Sequence, residues 1–447
     1  MEIIIKLSQF LLSLSLLIIL HELGHFIPAK LFKTKVEKFY LFFDIKFSLL
    51  KKKIGDTEYG IGWLPLGGYV KIAGMVDESM DTDQLAQEPQ PWEFRSKPAW
   101  QRLIIMLGGV IVNFILAFVI YIGIAFVYGD LDIKNSELKD GVWVSNPVIA
   151  QIGVQTGDKI TAIDGKEVQS FFDLPERLLL SNQVVVDRNG EQVVIETPQN
   201  LIGQIVEDSR KTIVSLRIPF VVVGETEDSQ NASVLKLKDI VTEINGQKIH
   251  YVDQLPGILQ TMKGETVSAT VIRDQKEEQV TLKVDDQGLL GIAYASMIKL
   301  SDLEKMNLYQ VNRKTYSFAE AIPIGLNKGV ERVGSYWNQL KKIVNPNTGA
   351  YKGVGGFKAI FDIFPQVWSW EVFWNITAIL SIMLGVMNLL PIPALDGGHV
   401  MFVFYEMISG RKPSEKFLEK AQMIGFFILI SLLLFANGND IFRAFVK

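Results

Sequence analysis

The sequence predicts a polytopic α-helical membrane protein with four transmembrane helices, a membrane-associated β-hairpin region and two tandem small α/β domains. Three observations carry this expectation. Four apolar stretches are long enough to cross a bilayer, and basic residues crowd two of the loops between them. The segment between the second and third stretches has ordinary soluble composition and contains an internal repeat. Over 447 residues, 48% hydrophobic content coexists with 21% charged, which fits membrane segments joined to a globular part. A net charge of −4 without a long basic run argues against nucleic-acid binding, and the lack of cysteine excludes disulfides and thiolate metal sites.

Residues 1–30 form the first span. A signal peptide is the competing reading, but the apolar run is longer than a usual signal core, lacks a small-residue cleavage site and contains His21-Glu22-Leu23-Gly24-His25. Ionisable groups inside a membrane-length segment are costly unless paired or functional. Two histidines four apart on a helix project from one face, so their ring nitrogens converge on a single metal ion while Glu22 flanks the open side.

Residues 31–102 carry many lysines and arginines, which places this loop in the cytoplasm and the N-terminus outside. Within it, Glu58 to Met75 reads as a glycine-punctuated β-hairpin too apolar for a solvated loop, with Gly67, Gly68 and Tyr69 on an open strand edge. Residues 103–128 form the second span. Asn113 within it is a polar group that needs a partner in lipid, by default another helix, with a place behind the metal site as the alternative.

Residues 129–220 and 221–298 are the two soluble domains. Asp158 to Val168 aligns with Asp239 to Ile249, and a Leu-Pro pair follows each, at Leu174-Pro175 and Leu255-Pro256. Each copy reads as a strand, an Asp-Gly or Asn-Gly turn, a second strand and a helix. Residues 299–371 are an amphipathic connector whose helix starts at the capping box Ser317 to Glu320 and runs to about Val344. The third span, residues 372–398, ends in Asn388 to His399. A basic cytoplasmic loop over 399–420 leads to the fourth span and tail, 421–447.

The chain has four histidines, so a third protein ligand must be His250, His399 or a carboxylate. Leu31 stands where a third histidine of one zinc-protease class would fall. Glu37 and Glu58 lie on no helix with a supporting motif. Asp396 fits best: it stands at the membrane boundary, in a Pro- and Gly-broken stretch, on the same side as His21 and His25. These three ligands would hold one Zn2+ and leave a position for water, with Glu22 as the general base. His399 either orients Asp396, stabilises an oxyanion or simply lies at the boundary. A peptide bond inside a transmembrane helix must be unwound to be cut, and the hairpin edge and the Asn388 amide would satisfy the freed backbone groups.

The repeats resemble PDZ domains of bacterial envelope proteases, through Gly157-Asp158-Lys159-Ile160-Thr161-Ala162-Ile163-Asp164-Gly165. The second copy departs, with Lys238 in the glycine position. The chain as a whole resembles the site-2 protease family of intramembrane zinc metalloproteases: HExxH in the first span, Asn388, Pro391, Pro393, Leu395, Asp396 and Gly397 at the third, and PDZ-like domains between. Val110 departs, where a proline commonly follows the glycine pair. This resemblance implies substrate contacts at Asn388, Pro391 and Pro393, and cleavage of single-span proteins or peptides in a bacterial inner membrane. Such substrates include an anti-sigma factor trimmed beforehand and leftover signal peptides. It further implies that the PDZ-like pair and both termini are periplasmic. A non-catalytic PDZ scaffold or chaperone would show a damaged HExxH, and a metal transporter would repeat polar residues across several spans.

Overall fold

The computed structural model describes residues 2–65, 67–75, 88–208, 212–225, 229–295, 298 and 300–446. It divides into two compact units, one made of Met1–Gly129, Thr315–Val344 and Val354–Lys447, the other of Asp130–Lys314 and Asn345–Gly353.

Among the described residues the first unit has six long helices, α1 (Glu2–Leu31), α2 (Ala99–Val127), α3 (Phe318–Val344), α4 (Trp370–Leu389), α5 (Asp396–Ser409) and α6 (Glu415–Val446), and a short one at Phe357–Asp362. Four of them, α1, α2, α4 and α6, are long and apolar enough to cross a membrane. The 30 residues of α1 span about 45 Å at 1.5 Å per residue. Its buried residues Gln9, Ser13, Leu17, His21 and His25 recur every four positions, so a file that is polar except at Leu17 faces the bundle. Ala117, Ile120, Tyr121 and Ile124 of α2 pack on Ala378, Ile382 and Val386 of α4, and Leu17 of α1 packs on Phe373, Ile376 and Leu380.

In lipid such apolar contacts gain nothing from excluding water, so polar contacts set the register. Gln9 Nε2 donates to Pro365 O at 2.9 Å, the Ser13 and Thr377 hydroxyls meet at 2.9 Å, and Ser381 Oγ donates to Asn113 O at 2.7 Å. At about 0.6 kcal/mol each, the three together contribute on the order of 2 kcal/mol.

Four strands, β1 (Val36–Leu41), β2 (Phe43–Ile54), β3 (Thr57–Leu64) and β4 (Tyr69–Ile72), form a sheet of order β2-β3-β1-β4. This corrects the expected hairpin over Glu58 to Met75. Its two strands do not pair with each other, because β1 lies between them, parallel to β3 and antiparallel to β4. Tyr40 of β1 explains the insertion: its hydroxyl donates to Glu58 Oε1 on β3 at 2.7 Å, and its ring stacks on Tyr69 of β4 at 5.4 Å. Buried Val36, Val70 and Ile72 then share a cluster with Ala29 of α1 and with Ile105 and Met106 of α2, fixing the sheet to the helix ends. The true hairpin is β2 with β3.

A second correction concerns residues 399–420, expected as a loop. Helix α5 occupies Asp396–Ser409, with Val400 and Val403 buried and Glu406 Oε1 2.5 Å from Arg102 Nη2 of α2. Helix α3 begins at the predicted capping box, where Ser317 N donates to Glu320 Oε2 at 2.9 Å.

In the second unit the repeat is visible element by element. Lys159–Ile163 matches Ile240–Ile244, Leu174–Leu180 matches Leu255–Gln260, and the hairpin Gln183–Arg188/Glu191–Glu196 matches Thr266–Arg273/Lys276–Lys283. Each copy holds the same ion pair of a buried aspartate with a half-buried arginine: Arg188 grips both oxygens of Asp158 at 2.7 Å, and Arg273 grips Asp239 at 2.9 and 2.6 Å. Gly157 has φ +99° and Lys238 has φ +74°, so the lysine occupies the same left-handed position as the glycine it replaces.

Burial pushes the Asp239 carboxyl up, but Arg273 and the Lys236 N–H outweigh it and hold its pKa below the usual carboxylate range. A depressed carboxylate contributes stability above its unfolded pKa of about 3.9 and loses it as pH falls through the folded value. Asp239→Ala leaves the part-exposed Arg273 guanidinium with Glu278 Oε2 and Val234 O and removes its two bonds to the aspartate, at a cost of about 1–2 kcal/mol. Hydrogen–deuterium exchange over residues 240–283 should show this loss at neutral pH. The difference from wild type should narrow below about pH 4, and equal protection at neutral pH would refute it.

Candidate metal centre

The i, i+4 spacing on α1 brings the imidazoles of His21 and His25 together, with ring centroids 4.9 Å apart and Nε2 atoms 3.4 Å apart. Asp396, the first residue of α5, reaches between them. Its Oδ2 lies 3.5 Å from His21 Nε2 and 3.3 Å from His25 Nε2. Among the described residues these three form the one His/Asp/Glu group whose ligand atoms lie within 4.8 Å of one another. Tetrahedral zinc with bonds of about 2.0–2.1 Å has ligand–ligand edges of roughly 3.4 Å, so the three atoms stand where three corners would be. Asp396 Oδ2 is buried without a hydrogen-bond partner. That is costly for a carboxylate oxygen unless a cation completes it.

His25 is already oriented for this role. Its Nδ1–H donates to Ile105 O of α2 at 2.8 Å, which leaves Nε2 with its lone pair toward Asp396. Close approach of α1 and α2 makes these contacts possible. A Cβ on Gly24 would run into the Gly108 carbonyl, and one on Gly109 would lie 2.3 Å from His25 Nε2 and 2.6 Å from His21 Cε1.

The centre opens into a cavity of about 650 Å³. Its walls are His21, Glu22 and His25 of α1, the stretch Gly68 to Ile72, residues Ala394 to Asp396 with His399, and Gln422, Phe426 and Ile430 of α6. Glu22 therefore faces the same space as the ligand atoms, and His399 lies on its wall one turn after Asp396. Asn388 Nδ2 sits 3.3 Å from His21 Nε2. Gly68 and Tyr69 line the cavity, with Tyr69 OH donating to Asp44 Oδ1 at 2.9 Å. Burial and the Asp44 carboxylate push the Tyr69 phenol above its ordinary pKa, so it stays a donor.

Of the expected substrate contacts Gly68 and Tyr69 line the cavity, while Gly67, Asn388, Pro391 and Pro393 are not among its lining residues. The two prolines belong to the tight turn between α4 and α5, where Leu395 N donates to Ile392 O at 3.0 Å. Of the alternative ligands, Glu37 is engaged with Lys35 and Lys71, Glu58 with Tyr40, and His250 is an exposed residue of the other unit. Sequence reasoning missed that Gly109 makes room for the imidazoles and that α6 supplies a wall. The Gly-Gly pair was a visible signal for the first, but the apolar α6 carried none for the second.

The model of peptidase family M50 matches residues 9–432. The chain belongs to peptidase family M50. This M50 protein is 26% identical to the "Regulator of sigma E protease" of Haemophilus influenzae, over 98% of this chain and 99% of that one. It is 26% identical to a "Putative zinc metalloprotease" of Rickettsia conorii, over 98% of each chain. A protein of the same printed name from Campylobacter jejuni is 28% identical, over 97% of this chain and 92% of that one. The M50 protein is thus a membrane metalloprotease of the site-2 type whose cofactor is zinc, and its donor set of two imidazoles and one carboxylate suits that ion.

Proposed function

We propose that this M50 protease cuts a peptide bond within the membrane-spanning segment of a single-span protein. The observation that carries the reading is the location of the centre: His21 and His25 lie on a helix long and apolar enough to cross a membrane, beside a strand with an open edge. Among the described residues β4 pairs with β1 alone, and its residues line the cavity. A helical substrate has its backbone groups satisfied internally and its carbonyls covered. Once unwound, it can lay its N–H and C=O groups along β4 as an added strand, with the Asn388 carboxamide offering one donor and one acceptor.

Zinc, when bound, lowers the pKa of its water toward about 7 and polarises the scissile carbonyl. Glu22 removes the proton from the attacking water and delivers it to the leaving amine. His21, His25 and Asp396 hold the ion, and the β4 edge and Asn388 hold the substrate extended. Asn388→Ala removes about one net hydrogen bond, so cleavage should slow about tenfold. Unchanged turnover of a purified substrate would remove Asn388 from substrate binding.

The two repeats are read as tandem PDZ-like domains that filter substrates by size, on the periplasmic side of a bacterial inner membrane. The motif at Gly157 to Gly165 and the shared order of elements support that reading. The name of the Haemophilus relative supports a part in sigma E regulation, and the substrates read here are an anti-sigma factor trimmed beforehand and remnant signal peptides. The test compares two single-span substrates in nanodiscs, one with an uninterrupted Leu-rich span and one with a Gly-Pro break near the cytoplasmic end. The broken helix should be cut much faster. Equal rates would refute cleavage on an unwound segment.

A further inference from the structure

Helix α2 supports both metal-facing imidazoles on their far side, yet by different means. Ile105 O fixes His25 Nδ1 as a donor. His21 Nδ1 instead meets the carboxamide of Asn113, whose Nδ2 lies 3.0 Å away, while Asn113 Oδ1 is buried without a partner. The residue is fully buried. In this orientation Nδ2 can pair only with a bare Nδ1, yet Asn388 Nδ2 stands 3.3 Å from Nε2 and asks for the lone pair there; a neutral imidazole has one lone pair and cannot serve both amides. A half-turn of the amide exchanges its two ends and sets Oδ1 against Nδ1. The proton then belongs on Nδ1 and Nε2 is free. The same half-turn gives the stranded oxygen its partner.

We propose that Asn113 is a positioning residue for zinc, its Oδ1 accepting the Nδ1 proton of His21 and so holding the tautomer that leaves Nε2 for the ion. This rests on the metalloprotease assignment and deepens it. The interhelical contact of this side chain is made to a metal-facing imidazole, not to a structural partner. The contact to α4 is made by the Asn113 backbone carbonyl, which accepts from Ser381 Oγ at 2.7 Å. The carboxamide points the other way, toward α1. Ser381 and the Ser13–Thr377 pair then act upstream, keeping α2 and α1 in the register at which amide and ring meet.

The test is zinc affinity by chelator competition in full-length protein in nanodiscs, carried in the Glu22→Gln background so that proteolysis plays no part in the readout. Asn113→Leu keeps the volume and removes the acceptor, and affinity should fall about 10- to 100-fold. Asn113→Asp keeps an acceptor and should bind zinc at least as tightly as the parent. Equal losses in both variants, or no loss in Asn113→Leu, would overturn the proposal. Nitrogen NMR of the zinc-loaded parent gives a second readout that needs no substitution, since the chain has four histidines. A proton on His21 Nδ1 supports the proposal, and a proton on Nε2 overturns it even if Asn113→Leu fails to fold. A cleavage failure at wild-type zinc affinity would count against the proposed function and leave this assignment standing.

Discussion

Glu22→Gln protein should retain its zinc and lose proteolysis by about a thousandfold. Glutamine is nearly the same size and leaves His21, His25 and Asp396 with their mutual spacing of 3.3–3.5 Å. What it removes is the proton acceptor on the cavity wall, and general acid–base groups typically supply 10²–10⁴ in rate. Cleavage of a purified single-span substrate, with zinc measured on the same sample, separates the two effects. Wild-type cleavage by the variant would sink the assignment of Glu22, and zinc loss would mean that Glu22 supports the ion rather than the proton transfer.

Gly109→Ala should have the reverse signature, with zinc and activity lost together. The added methyl would lie 2.3 Å from His25 Nε2 and 2.6 Å from His21 Cε1. The rings have little room to yield, because His25 is tied to Ile105 O and His21 to Asn113. Backbone relaxation is blocked as well, since Gly24 and Gly108 already bring the two helices into contact. Gly123→Ala on the same helix is the control: nothing lies within 4 Å of its added Cβ, so it should bind zinc and cut normally. Zinc stoichiometry near one in the Gly109→Ala protein would refute the steric argument.

The residues that meet at the centre were legible because their chemistry is conspicuous against an apolar background. His21, Glu22 and His25 inside a membrane-length helix demand a reason, and Asp396 stands in a stretch that cannot continue a helix through the bilayer. The repeat was legible for another cause: an Asp-Gly or Asn-Gly turn between short alternating strands has few other structures to adopt. Long-range pairing was not. Nothing local in Glu58 to Met75 announces that Val36 to Leu41 lies between its strands, since that rests on pairing with a distant segment, to which Tyr40 adds a contact on each side. Helix α5 was masked by the basic residues that follow it, although Val400, Val403 and Glu406 are spaced to face α2. Lys238 was a misleading departure, because backbone conformation rather than residue type is what the two repeats share there.

The place of β1 has a mechanical consequence. It follows α1 after four residues and is hydrogen-bonded to β4, the strand with the open edge. The helix that carries the ligands and the edge proposed to receive substrate are thereby linked through a single strand, packed in common on α2. When α1 tilts to accommodate a thicker or thinner bilayer, the edge tilts with it. Under the proposed binding along β4, the distance along a bound chain to the ion is counted in residues from that strand, not in depth from the lipid surface, and the enzyme would carry its own ruler.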